Sequence, residues 1–153
     1  MKLGLILHDP EEEHDCFSDN THNSHYYDIV GMQNVYLGSY KRLDGTVVSG
    51  ASPSDLVKAA SAEADTALRA ALDDSVAAGA AMKKRAETVE RYDQMIGEGN
   101  SEGNATVQKV IDKLLVQTKA VERGVAALKL KAIQFEGSDS LDNPNKVLNE
   151  KKS

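Results

Sequence analysis

The sequence predicts an all-α protein, an up-and-down helical bundle carrying a short β-hairpin insert. Three observations point there. Apolar residues recur at threes and fours over two long stretches, the period of a helix with one buried face. Ala is abundant and only 3 of the 153 residues are Pro, so helix interiors run unbroken and small side chains let helices approach closely. One Asp-Gly step, Asp44-Gly45, stands between two short β-prone runs, which is a strong hairpin signal.

The elements follow in chain order. Met1-Lys2-Leu3-Gly4-Leu5-Ile6-Leu7 is apolar from its third residue, with no cap and no polar lead-in. It is expected to pack against something, either a missing N-terminal half or, as a short terminal helix, this bundle's own core. Asn20 or Thr21 caps a helix whose first turn holds His22 and His25 and which carries Tyr26, Ile29, Val30 and Gln33 towards Tyr36. Gly38 ends it. The hairpin occupies about residues 39–49, with Asp44 and Gly45 both tolerant of positive φ, and it must lean on the helices because an isolated hairpin is marginal. Ser52 caps the next helix with Pro53 at its first position.

Ser54 to Ile96 reads as helical, with room for a break near Ala59 to Ala64. Leu68, Leu72, Ser75, Gly79, Met82, Ala86, Val89 and Asp93 form one stripe along it. Gly97-Glu98-Gly99-Asn100 stops the helix, and Ser101 or Asn104 restarts it. Val107, Val110, Ile111, Leu114, Leu115, Thr118, Val121, Val125 and Leu128 then give the cleanest amphipathic pattern in the chain. Phe135 to Pro144 is polar and turn-rich, a surface loop with a short helical turn after it, and residues 145–153 read as a flexible tail. The length suits a single domain over 1–153.

Charge and composition exclude several function classes. A net charge of -6 leaves nothing to neutralise a run of phosphates, so nucleic acid is not an expected partner, whereas cations and basic partners are permitted. One Cys excludes an internal disulfide framework. The longest apolar run, Leu3 to Leu7, is too short to span a bilayer and lacks a signal-peptide layout, so neither a membrane span nor an export signal is read in the chain.

The chemistry concentrates between Asp9 and His22. Asp9, Glu11, Glu12, Glu13, Asp15 and Asp19 stand beside His14, His22 and the only thiol, Cys16. His14, His22 and His25 with Glu13, Asp15, Asp19 and Asp28 are mixed nitrogen and oxygen ligands suited to iron, zinc or manganese. At a spacing of three, His22 and His25 share a helix face, as do His25 and Asp28. His8-Asp9-Pro10-Glu11 spells His-x-x-Glu, but Pro10 disturbs a helix there. Against a metal site stands an ordinary reading: solvated carboxylates, with Asp19-Asn20-Thr21 serving as a helix cap. Cys16 with His14 or His22 as base has the makings of a nucleophile. The flanking acids reduce its thiolate fraction, though, and a lone Cys beside Phe17 fits small core packing better. Ser18 lacks a Gly-x-Ser-x-Gly setting, and Gly97-Glu98-Gly99 lacks the third glycine and preceding strand of a phosphate loop.

The segment from Asp9 to His22 resembles the signature of the imelysin family, also called peptidase family M75 or the iron-regulated imelysin-like proteins. Gly31-Met32-Gln33-Asn34-Val35-Tyr36-Leu37-Gly38, Tyr92-Asp93-Gln94-Met95-Ile96, Gln117-Thr118 and Phe135 to Asp142 resemble further blocks, in the same order. The family resembles a pair of helical bundles, and this chain looks like the second. The family's Gly-x-His-x-x-Glu element belongs to the first and has no counterpart here. The resemblance therefore implies an incomplete site for iron or zinc in this chain. Its facing residues are His14, Asp15, Ser18, Asp19, Asn20 and His22, with Glu13, Cys16 and His25 behind them. It also implies a periplasmic or outer-membrane location and a role in iron uptake. The expected partners are a metal ion and either the missing N-terminal half or a second copy, docked on the apolar face of Leu3, Leu5, Ile6 and Leu7. Two rival expectations stand beside this binding module: an M75-type metallopeptidase half needing the other bundle for its metal, and a purely structural bundle whose signature loop knits two halves together.

Overall fold

In the computed structural model, Leu3 and residues 7–131 are described. The bundle is all-α apart from one hairpin. Two 3-10 turns, Pro10–Glu12 and Cys16–Ser18, precede α1 (Thr21–Leu37). The hairpin strands β1 (Ser39–Lys41) and β2 (Val47–Ser49) follow, then α2 (Pro53–Ala60), α3 (Ala62–Thr88), α4 (Tyr92–Ile96) and α5 (Ser101–Ala127). α3 lies centrally, packed on α5, α1 and α2. α5 and α1 run antiparallel to it: Arg85 meets Glu102 while Asp74 meets Lys113. On the other side Gln33 meets Asp73, whereas Ile29 lies against Gly79.

The core divides in two. Leu3, Ile29, Met82, Tyr92, Met95, Ile96, Val107 and Val110 fill the end that carries the 3-10 turns. Tyr36, Val57, Leu68, Leu72 and Ala120 fill the other. Leu3 is 2% exposed and Leu7 packs on the same cluster. Those two side chains therefore serve this bundle's own core rather than a free apolar face for a second copy, which corrects that part of the docking expectation. Leu5, Ile6, the loop from Phe135 to Pro144 and the tail 145–153 lie outside the described residues.

The α1 terminus is a left-handed Gly38 (φ 59), where an added Cβ would stand 2.7 Å from the Cβ of Ser52, so only glycine fits. The hairpin turn differs from the expectation. Gly45 alone takes positive φ (86), while the Asp44 carboxylate accepts the Thr46 N–H at 2.9 Å and closes the turn from its side chain. Tyr40 to Ala51 are exposed, so the strands do not lean on the helices. They are held at their feet instead, where the Gly50 N–H donates to the Gly38 carbonyl at 2.9 Å. Ser52 caps α2 in a reciprocal box with Asp55. The break in the Ala-rich region falls at Ser61, which is extended (φ -157) and caps α3 through Ala64 N–H.

Two patterns are corrected. α3 stops at Thr88, and the chain passes through Val89 to an extended Arg91 before α4. The stripe from Leu68 to Met82 is buried, but Val89 and Asp93 beyond it are exposed. On α5, Gln117, Ala120 and Gly124 are buried where Leu115, Thr118 and Val121 were expected. Small residues set that face: Gly124 lets α5 approach Val57, so the closest side of the helix is not its most apolar one. At the other end of α5, a Cβ on Gly103 would fall 2.6 Å from the Met95 carbonyl oxygen. Gly103→Ala is therefore expected to destabilise the chain by about 2 kcal/mol despite its better helix propensity, as chemical denaturation would record.

Candidate functional site

The turns at residues 10–19 fold because their polar side chains satisfy the backbone locally. The Asp15 N–H donates to Thr21 Oγ1 at 3.2 Å, and the Asp15 carbonyl accepts from the Ser18 N–H and hydroxyl. The Asp15 carboxylate accepts the Ser24 hydroxyl from the first turns of α1. Asp19 closes the second 3-10 turn in the left-handed region (φ 50), and its carboxylate pairs with Arg91. It therefore does not cap α1. Asn20 holds the cap position, but its Oδ1 accepts from the Asn23 side chain at 2.9 Å rather than from the helix backbone.

The sequence-predicted residues divide between two settings. The first is a buried polar chamber. Glu13 is buried beside Thr21. His25 is wholly buried between the rings of His14 (centroids 4.9 Å apart) and Tyr92 (5.8 Å). Burial, reinforced by the neighbouring His14, pushes the His25 imidazole down to about 4. Burial and then Asp93 push the Glu13 carboxyl above its usual range, and burial raises the Tyr92 phenol. Neutral forms are thus favoured throughout the chamber. His14 stands at its rim, exposed, 3.7 Å from Asp15.

The second setting is an open groove of about 500 Å³ between the turn and the α3–α4 link, lined by Asp19, His22, Glu87, Glu90, Arg91 and Gln94. His22 Nε2 lies 3.1 Å from the Asn23 amide nitrogen, and burial lowers the imidazole's pKa. Glu90 is held by Arg85 at 2.6 Å and Asn100 at 2.7 Å. Cys16, Phe17 and Ser18 form an exposed crest above, so Cys16 is not the core packing that its neighbour Phe17 suggested. His25 is buried while Asp28 is exposed, so these two do not make a ligand pair.

Six buried side-chain atoms lack a hydrogen-bond partner among the described residues, and five of them lie here: Glu13 Oε2, His22 Nδ1, both ring nitrogens of His25 and the Tyr92 hydroxyl. A folded chain rarely leaves so many polar atoms unsatisfied in one place, because each costs about 1–3 kcal/mol. No three His, Cys, Asp or Glu side chains among the described residues converge to hold a metal ion. The described residues therefore do not by themselves assemble a complete iron or zinc site. Hydrogen bonds to a polar ligand, or a share of an ion's coordination, are what the arrangement offers.

Reasoning from sequence missed Tyr92, Arg91 and the two glutamates of the groove. Arg91 is not an ordinary cap residue, so nothing announced that α3 ends and α4 begins there. Gln94, whose side chain accepts the Arg91 N–H at 3.0 Å, was the one available signal.

Of the residues quoted for the resemblance, Asp9 to His22 and Tyr92 to Ile96 fall at this end of the bundle, Gly31 to Gly38 on the C-terminal half of α1 and its cap, and Gln117-Thr118 on α5, while Phe135 to Asp142 lies outside the described residues. Among curated proteins none matches the chain significantly. The sequence profile of imelysin, peptidase family M75, matches residues 1–121, which takes in every quoted block except the last. No described helix is long and apolar enough to cross a membrane. With four-fifths of its length matched in this way, the chain belongs to the imelysin family.

Proposed function

We propose that this chain is the ligand-contacting C-terminal bundle of an iron-regulated imelysin-like protein outside the cytoplasm, at the periplasm or outer membrane. It contributes part of a site for iron or an iron-linked ligand. His14, Asp15, Ser18, Asp19, Asn20 and His22 face the ligand, with Glu13 and His25 behind them and Cys16 on the exposed crest beside Ser18. The remaining ligands come from another imelysin half or a second copy. The observation that supports this reading is the collection of buried polar atoms around the signature turn that have hydrogen-bonding capacity and no partner among the described residues.

The test is a calorimetric titration of the chain with ferrous iron and with zinc, followed by elemental analysis after dialysis. Weak binding and substoichiometric retention are expected, and replacing His14, Asp19 and His22 together with Ala should weaken affinity at least about tenfold. Affinity unchanged in the triple variant would refute the site. Stoichiometric retention by the unaltered chain would refute its incompleteness.

A structural reading has its own support in the bonds that tie Asp15 to Thr21 and Ser24, and Asp19 to Arg91. Asp19→Asn keeps a residue tolerant of the left-handed backbone and removes a pair whose arginine is 68% exposed. The expected loss of stability is at most about 1 kcal/mol by urea denaturation. A loss several times larger would favour the structural role over the binding one.

A further inference from the structure

We propose a second binding site, on the C-terminal half of α1, for a small apolar molecule that carries a single hydrogen-bond donor. A cleft of about 360 Å³ opens there between α1, α3 and α5, lined by Met32, Val35, Leu68, Leu72, Gln117 and Val121. The helix rise places it about 15 Å along α1 from His22, outside the signature turn. Its volume lies in the range of small-molecule pockets, and none of the described residues that line it is charged. A charged ligand would lose its hydration there without compensation.

The polar requirement comes from Gln117. It is 5% exposed, its amide nitrogen meets the Met32 sulfur at 3.4 Å, and its Oε1 is buried with no hydrogen-bond partner among the described residues. This is the sixth unsatisfied atom, and the one away from the signature turn. Gln117 lines the cleft, so its buried, unpaired acceptor is reached by an N–H or O–H donor on an otherwise apolar body once the amide turns towards the opening. The mouth suits such a body, since Val35 is 71% exposed and Val121 42% exposed beside the cleft. Gly31 widens it, because a Cβ built there meets nothing within 4 Å.

The experiment follows amide resonances of the full chain by NMR during titration with 2-naphthol and with its methyl ether, 2-methoxynaphthalene, which lacks the donor. Shifts confined to Gly31, Val35, Gln117 and Val121 are expected, with the naphthol binding about fivefold tighter than the ether. Gln117→Leu should bring the two probes to equal affinity while keeping the fold, since it removes an unpaired polar group. Gly31→Leu should abolish binding of both by filling the cleft from a position that accepts a side chain. Three outcomes overturn the proposal: no shift at these residues up to the solubility of the probes, equal affinities in the unaltered chain, or shifts there that track protein concentration without probe. The last would make a second copy the occupant.

Discussion

Asp65→Ala is expected to destabilise the chain by roughly 3–4 kcal/mol, the largest effect of any single polar substitution in the bundle. The carboxylate is 4% exposed at the start of α3, beneath α1 and α2. It accepts the Tyr36 hydroxyl at 2.9 Å, the Ser54 hydroxyl at 2.5 Å and Arg69 Nε at 3.0 Å. Burial alone would raise its pKa, but the bonds from Ser54, Tyr36 and Arg69 outweigh it and hold the carboxyl below its ordinary range. The same contact, added to burial, pushes the Tyr36 phenol up to about 12. One group thus ties three helices together, and truncating it strands the Tyr36 hydroxyl on α1 and takes the acceptor from the Ser54 hydroxyl on α2, which keeps only the bond it accepts from Arg69 Nη2 at 2.5 Å. Tyr36→Phe removes one donor and leaves two, so it should cost only about 1 kcal/mol. Urea titrations of both variants and of the double variant would measure the coupling. Near-equal losses from Asp65→Ala and Tyr36→Phe would mean that the network is not centred on Asp65. The depressed carboxyl also sets a pH signature: its contribution is present above the unfolded value and is lost as pH falls through the lower, folded one.

His25 is expected to make stability fall steeply in mild acid. Its folded pKa is lowered to about 4 from 6.5, so as pH drops the unfolded chain takes up this proton first. The stability is therefore intact above about 6.5 and is lost as pH falls towards 4, by roughly 3 kcal/mol across the window. His22, lowered as well, adds in the same direction. Glu13 acts oppositely. Its folded pKa is raised, so its contribution is fully present below 4.5 and is lost as pH rises through the raised value. That offsets part of the histidine loss at the acid end. The discriminating variant is His25→Phe, which keeps a ring in the chamber and breaks no hydrogen bond within the described residues, among which both imidazole nitrogens lack a partner. Its unfolding free energy, followed from pH 7 to pH 4 relative to its own value at pH 7, should be much flatter than that of the unaltered chain. An unchanged slope would place the titration elsewhere.

What could be read in the sequence was what local chemistry decides. Gly38 and the Ser52-Pro53 start are single-residue statements about backbone geometry. The restart after the Gly97 to Asn100 stop was legible only in place: the cap is Asn100, which accepts the Gly103 N–H at 2.9 Å, and neither Ser101 nor Asn104. The stripe from Leu68 to Met82 is set by helical period alone. Reading failed where tertiary contact overrides period. The buried face of α5 follows Ala120 and Gly124 because close approach there outweighs the burial of Leu115 or Val121. The end of α3 at Thr88 carries no proline or glycine, so a continuous helix was the reasonable expectation. The candidate site shows the same division. Its segment was legible because ionisable groups concentrate there, whereas the separation of His25 from His22 into chamber and groove depends on Tyr92 and Arg91, some seventy positions away in the chain. Asp19 was legible as important but not in its role, since a left-handed residue paired with Arg91 looks the same in sequence as a cap.

The hairpin leaves the bundle at Gly38 and returns at Gly50, with the two ends hydrogen-bonded to each other. Its strands touch solvent on both faces, and Leu43 at the tip is fully exposed. For protein engineering this is a ready-made port. The exit and re-entry points are fixed by the scaffold, so a reporter domain or affinity tag grafted between Leu43 and Gly45 adds only loop-closure entropy, which grows slowly with length. The same excursion could carry a label for following the signature turn at the far end of α1 without altering any side chain of either core.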